Sequence, residues 1–338
     1  MNKTSLLQQQ GEFEIIDRYF KKASPSALIG IGDDCAMINI PAEESLLITT
    51  DTLIEGRHFL SSISPENLAH RLVAVNFSDI AAMGGQPRYV LLSLSIHDPS
   101  HEWLSAFSKT LHQEISRYGA ELIGGNTTQG SLSLGLTVMG STLPSLALRR
   151  DKAKVGDDIW VSGYLGGAAR GLKILQKRIP FKAHFLPHQQ AIAAYEKPEA
   201  RIFLGLVLRG IASSCIDLSD GLAGDALHIA QLSQVNLHIE LTQIPAHPVF
   251  ETDEMPPHKT DPLLLQDLLA GGDDYELLFT APPKYRENLE RISEQLEIRL
   301  TRIGVVSETT GTPKIKWTIN NQPIDLALKG FDHFDSKK

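Results

Sequence analysis

The chain has 338 residues, 42% of them apolar and 21% charged, an ordinary balance for a soluble globular protein and, at ~150 residues per domain, a length that suits two domains. Lys and Arg number 32 and Asp and Glu 40, leaving a formal charge of −8 and a pI ≈ 5.8, which argues against non-specific binding to nucleic acid or an anionic membrane, since both need a basic face. The two cysteines, Cys35 and Cys215, lie far apart, so neither a disulfide scaffold nor a thiolate zinc site is expected, and a reducing compartment fits.

Met1 to Phe13 is too polar for a secretory leader, and no apolar stretch approaches the ~18 residues of a membrane span; a cytoplasmic protein is expected. Gly11 to Lys22 reads as a helix with Phe13, Ile15, Ile16 and Phe20 on one side. Leu46 to Asp51 reads as a buried strand that ends in oxygen-bearing residues. Pro65 to Met83 reads as a helix stopped by Gly84-Gly85. Tyr89 to Ile96 is a strand, and His101 to Tyr118 a helix stopped by Gly119. Leu132 to Val138 alternates with period two, a strand pattern.

Leu148 to Asp158 is the most polar stretch near the middle, which predicts domains over 1–147 and 148–338. Ile159 to Gly163 reads as a strand feeding a glycine-rich turn and a helix over Ala168 to Gln176. Leu222, Ala226, Ile229, Ala230 and Ser233 share a helical face with Ser219 as expected N-cap. Pro245 to Pro262 reads as a proline-rich loop. The alternation of strands and helices gives an α/β or α+β class. A faint internal echo pairs Ile31-Gly32-Asp33-Asp34 with Gly271-Gly272-Asp273-Asp274, and Ser78-Asp79 with Ser219-Asp220, each expected to open a helix; chance explains it as well as duplication does.

The chemistry lies in where the aspartates fall. Asp33, Asp34, Asp51, Asp79, Asp217, Asp220, Asp273 and Asp274 stand at the ends of apolar runs beside Gly, Ser or Thr, whereas solvated charge alternates along helix faces. Taken singly, each is an ordinary cap or dipole partner. Taken together, they predict a convergence, in which each like-charge pair at ~4 Å costs roughly 4 kcal/mol at a dielectric of ~20. Only cations make such a cluster tolerable, and oxygen donors without paired His or Cys favour Mg²⁺ or Ca²⁺. Phosphate would need close backbone N–H groups. Candidates are Gly124-Gly125-Asn126-Thr127-Thr128 and the Gly163 to Gly167 turn before a helix, with Arg149 and Arg150 as a clamp. Walker, dinucleotide, protein-kinase and zincin signatures are absent. The residues alone thus give a soluble α/β protein with an Mg²⁺–phosphate site.

The same residues, in order, resemble the thiamine-monophosphate kinase family of the aminoimidazole ribonucleotide synthetase superfamily. The segments are Ile29 to Ala36, Thr49 to Leu53, Glu55-Gly56-Arg57-His58-Phe59, Val75 to Gly84, Ile123 to Thr128, Ile216 to Leu222, Gly271 to Leu277 and Lys329 to Phe334, nearly the whole chain. The resemblance implies ATP-dependent phosphorylation of thiamine monophosphate to thiamine diphosphate by direct, in-line transfer without a phosphoenzyme. It implies several Mg²⁺ ions on Asp34, Thr49, Thr50, Asp51, Asp79, Asn126, Asp217 and Asp220, with Asp51, Asp79 and Asp220 carrying the catalytic charge. ATP contacts would be Gly125, Asn126, Arg150 and Ser219; substrate contacts would be His58, Asp273 and Phe331. The implied fold has two α/β domains, with N-terminal domains that pair in a homodimer and close a β-barrel. Three departures stand out: Asp273 where many relatives carry Glu, Gly167-Ala168 where they often have Asp-Ser, and Lys197-Pro198-Glu199-Ala200-Arg201 in place of Arg-Pro-x-x-Arg. Two other readings remain: a superfamily cousin such as an aminoimidazole ribonucleotide synthetase-like ATPase, and a non-catalytic metal- and nucleotide-binding module resembling a hydrogenase-maturation scaffold. The Glu55 to Phe59 stretch and Phe331 favour the thiamine branch, and the retained aspartates favour an enzyme.

Overall fold

The computed structural model describes residues 11–251, 262–326 and 328. The chain opens with a short helix α1 (Glu12–Ile15) that widens at once into a π-helical turn (Ile16–Phe20). The wider turn brings Ile15, Tyr19 and Phe20 into the core and leaves Phe13 80% exposed, which corrects the face expected from a regular 3.6-residue period. Strand β1 (Ser45–Ile54) and helix α2 (Pro65–Ala82, capped by the Ser64 side chain) follow, then β2 (Gln86–Ile96), α3 (His101–Arg117, capped by Ser100), β3 (Glu121–Gln129) and β4 (Ser133–Thr142). These strands form an open four-stranded sheet in the order β1-β4-β2-β3, antiparallel except for the β2–β3 pair, which α3 connects.

The second half contains β5 (Asp158–Ser162), α4 (Gly167–Leu175), α5 (Leu186–Glu196), α6 (Ile202–Val207), β6 (Ser214–Asp217), α7 (Leu222–Ser233) and β7 (Asn236–Glu240). It continues with α8 (Pro262–Ala270), β8 (Leu277–Ala281), α9 (Arg286–Leu296), β9 (Leu300–Ser307), β10 (Ile315–Ile319) and β11 (Gln322–Ile324). Its mixed seven-stranded sheet runs β11-β10-β7-β9-β5-β8-β6. The chain is thus α/β with two separate sheets, and the barrel implied for the dimer is not closed within one chain.

Packing does not break at residue 148. One apolar cluster runs from Leu72, Phe77 and Leu136 through Leu148 to Leu204, Phe279 and Leu289, so α2 is buried between the first sheet and elements of the second half. Each such fully buried side chain contributes about 1.5–3 kcal/mol. Gly205 permits this approach: a Cβ there would lie 2.2 Å from the Ala81 carbonyl oxygen.

Two local expectations change. Strand β1 is half-exposed rather than buried, with Leu47, Thr49, Asp51 and Leu53 turned inward and Leu46, Ile48, Thr50 and Ile54 exposed. Gly221, not Ser219, caps α7, because a φ of +99° there makes the turn that only glycine adopts readily. Among the described residues, no helix is long and apolar enough to cross a membrane.

Candidate active site

Helix α2 carries two polar seams into an otherwise apolar core. Asn76 and Asp79, three residues apart and so on one side, meet β1: Asn76 Oδ1 accepts the Asp51 N–H at 2.8 Å, and Asp79 Oδ2 accepts the Thr49 hydroxyl. Arg71 and Ser78 meet the second half of the chain, where Ser78 Oγ donates to Asp217 Oδ2 at 2.8 Å and Arg71 Nη2 donates to Asp273 Oδ1 at 2.7 Å. Ser78-Asp79 therefore sits in the last turns of a helix rather than opening one. Neither Ile31 to Asp34 nor Gly271 to Asp274 opens a helix either; the second leads into β8.

The α2–β6 junction concentrates negative charge. Burial, and then the charge of Asp79, push the Asp217 carboxyl up to about 7, while the Ser78 hydroxyl and Arg150 pull the other way. Burial raises Asp79 as well, against the Thr49 hydroxyl and Arg150. Arg150 thus faces both acids, whereas Arg149 is engaged by its neighbour Asp151 at 2.6 and 2.8 Å and forms no clamp with it. Asp225, one turn into α7 and absent from the expected set, accepts the Asp220 N–H at 3.1 Å. Burial, then Asp217 and Asp220, push it up to about 8. An aspartate five residues after Asp220, buried in the first turn of a helix, was the available signal.

A third group lies beside this junction. The segment Asp273–Glu276 hydrogen-bonds along Leu218–Ser219, with Asp273 N to Ser219 O at 2.9 Å and Tyr275 N to Leu218 O at 2.8 Å. His58 Nδ1 accepts the Ile54 N–H at 3.0 Å, and the Tyr195 hydroxyl donates to the His58 carbonyl at 3.3 Å.

The remaining expected residues stand elsewhere. Asp34, Gly125 and Asn126 line a cleft of about 990 Å³ together with Phe20, Leu91 and Thr137. Gly124 to Thr128 is not a loop but the body of β3, and a Cβ at Gly125 would lie 1.9 Å from the Leu92 carbonyl oxygen. Strand alternation sends Thr50 to the exposed face, where its hydroxyl meets the Leu136 carbonyl at 3.0 Å and Thr137 Oγ1 at 3.3 Å. Thr49, Asp79 and Asp217 thus come together at α2, joined by Asp220 through Asp225 and by Asp51 through Asn76. Thr50, Asn126 and Asp34 belong to the opposite side of the sheet, so a single crevice holding every acid is not formed within one chain. Phe331 lies outside the described residues.

The Gly163 to Gly167 turn is already occupied by a carboxyl group of the chain itself. Gly166 N–H donates to both Asp274 oxygens at 3.0 Å, so a buried carboxylate covers the α4 N-terminus where phosphate was expected. Burial raises that carboxyl well above its usual range, against the Gly166 N–H.

Among the described residues, no three His, Cys, Asp or Glu side chains form a ready metal cage. Mg²⁺ is commonly held by one or two carboxylates with water and substrate phosphates. The Asp79–Asp217 pair, each accepting a hydroxyl proton and each raised first by burial, fits such a hard cation.

The model of AIR synthase related protein, N-terminal domain, matches residues 32–142. Thiamine-monophosphate kinase of Haemophilus influenzae is 40% identical over 334 residues, covering 97% of this chain and 99% of that one. The chain belongs to the thiamine-monophosphate kinase family. Membership in this family makes it a phosphotransferase. Among solved structures, thiamine-monophosphate kinase from Stenotrophomonas maltophilia K279a superposes with a TM-score of 0.79 at 36% identity, covering 89% of this chain and 93% of that one. AaThiL complexed with AMPPCP and TMP superposes at 0.73 with 30% identity, covering 98% and 100%.

Proposed function

We propose that this chain transfers the γ-phosphoryl group of ATP to the phosphate of thiamine monophosphate, giving thiamine diphosphate. The observation that carries this reading is that the Ser78-Asp79 turn of α2 joins both halves of the chain, Asp79 accepting the Thr49 hydroxyl of β1 and Ser78 donating to Asp217 of β6. A relative solved with AMPPCP, a non-hydrolysable ATP analogue, and TMP supports it across the full chain length.

Mg²⁺ would be held by Asp79, Asp217, Asp220, Asp51 and Thr49, with Asp34, Thr50 and Asn126 as ligands of a separate ion on the other face of the sheet. Bound there, it neutralises the phosphate oxygens and the charge that builds up during transfer. Arg150 and Ser219 would contact ATP beside the acid pair, and Gly125 and Asn126 would contact it from the cleft on the other face of the sheet. His58, Asp273 and Phe331 hold the acceptor. The acceptor oxygen is already an anionic phosphate oxygen, so no strong base is needed and the residues work by positioning and charge. Direct transfer then proceeds in line, with no phosphoenzyme.

The domain division at 147/148 and the homodimer belong to the same reading. Leu46, Ile48 and Ile54 on the outer face of β1 are 37%, 63% and 45% exposed, an apolar row on an edge strand. Such an edge is a ready pairing surface, and a second copy would close the open sheet into a barrel.

The test is direct. Purified protein with ATP, Mg²⁺, K⁺ and thiamine monophosphate should yield thiamine diphosphate by chromatography. Folded protein that forms no such product overturns the reading.

A further inference from the structure

Arg71 lies in the middle of α2 and is 1% exposed. Its guanidinium reaches three groups of the second half of the chain. Nη1 donates to the Tyr195 carbonyl, Nη2 donates to Asp273 Oδ1 at 2.7 Å, and the Tyr195 ring lies 4.5 Å from the guanidinium carbon. Nε is buried with no hydrogen-bond partner. Removing an ion from water is costly, and an apolar side chain of similar volume often replaces a buried ion pair without loss of stability. Packing alone therefore gives no reason for arginine at this place.

The partner of the ion pair is itself held under strain. Asp273 has φ +65° and Tyr275 φ +50°, a left-handed conformation that costs roughly 1–3 kcal/mol for residues other than glycine and gathers at functional sites. The Tyr275 hydroxyl donates to Asp273 Oδ1 at 3.1 Å, the oxygen that Arg71 also takes. Both donors converge on Oδ1, and Oδ2 takes part in neither bond. On the other side of Arg71, the Tyr195 hydroxyl holds the His58 carbonyl. The buried Arg71 and Tyr195 thus link two partly exposed residues, Asp273 and His58.

We infer that Arg71 is a positioning residue for the acceptor: clamped between Tyr195 and Asp273, it fixes the distance between His58 and the Asp273 carboxylate and leaves Oδ2 to meet the cationic thiazolium and aminopyrimidine of thiamine monophosphate. The inference rests on the proposed function, which assigns His58 and Asp273 to that substrate. It also supplies what the short aspartate lacks, because a planar fork anchored at two points holds a carboxylate in a fixed direction.

Initial rates on the purified full-length chain, with ATP and thiamine monophosphate varied separately, test this. Arg71→Met should raise KM for thiamine monophosphate about tenfold or more, the worth of a lost charged hydrogen bond, with KM for ATP within about twofold. Arg71→Lys should fall between, since one ammonium cannot span both partners. Tyr275→Phe, which removes one hydroxyl and tests the same carboxylate should Arg71→Met fail to fold, should raise KM for thiamine monophosphate roughly threefold. Equal changes in both KM values, or an unchanged KM for thiamine monophosphate in the folded variants, overturn the role of Arg71. A wild-type chain that makes no thiamine diphosphate overturns the proposed function instead.

Discussion

Asp217, at the end of β6, lies against the turn of α2 that carries Asp79, and each carboxylate accepts a hydroxyl proton, from Ser78 and Thr49 respectively. Burial and mutual repulsion favour a proton on Asp217 near neutral pH, a state that a divalent ion would displace. Asp79→Asn should therefore lower kcat by roughly 100-fold or more while the far-ultraviolet spectrum stays that of the parent; near-normal turnover removes Asp79 from the metal set. Asp225 gives a stability test with a definite sign. Its folded carboxyl holds a proton up to about 8 against an ordinary aspartate value of 3.8, so between those limits the folded chain binds more protons than the unfolded one. Stability from this group accordingly falls as pH rises through that window and is lowest above about 8. In chelator, Asp225→Asn should gain melting temperature relative to the parent from pH 5 to pH 8, with most of the Asp220 contact kept by the amide oxygen. A pH-independent difference would place the Asp225 carboxyl outside the charged cluster. The coupling of Asp79 to Asp217 was not legible in the sequence, because the two are distant along the chain, whereas Asp225 stands only five residues after Asp220.

Helix α2 is the element on which the site turns, with one side on β1 and the other on α5, β6 and the Asp273 segment. Its existence and its Gly84-Gly85 stop were readable from periodicity and end signals. Its roles were not: Arg71 and Asn76 are polar residues within an apolar run, and only packing shows which neighbour each one meets. Strand β3 shows the same limit. Val90 pairs with Leu122 but Leu91 with Gly124, so Ile123 bulges, both Leu122 and Ile123 are buried, and the alternation inverts to expose Asn126 and bury Thr127. A period-two count from Leu122 gives the opposite face, and bulges of this kind re-aim side chains. Close approach at α6 offers the stability test for this layer. Gly205→Ala must push the Ala81 carbonyl aside and should cost about 2–3 kcal/mol in chemical denaturation, with kcat reduced because the displaced turn carries Asp79. A change below about 0.5 kcal/mol would show that α2 and α6 shift freely.

For the whole molecule, the α/β class and the order of motifs were legible because strands, helices and glycine stops alternate locally. The two sheets and the continuous core beneath them were not, since pairing over long sequence separations leaves no local mark. The open four-stranded sheet sets the remaining prediction: Ile48→Lys, on the exposed face of β1, should convert a dimer to a monomer in sedimentation velocity and leave the far-ultraviolet spectrum intact. A wild-type chain that sediments as a monomer at working concentrations rules out the paired barrel. The ten-residue antiparallel match of β1 to β4 has one more implication, for mutational tolerance. Thr49 and Asp51 serve one compartment and Thr50 the other, so losing or gaining a single codon in the strand would exchange carboxylate for hydroxyl on both sides at once. Insertions and deletions should therefore be harsher between residues 45 and 54 than any single substitution there, a pattern that a deep mutational scan would reveal.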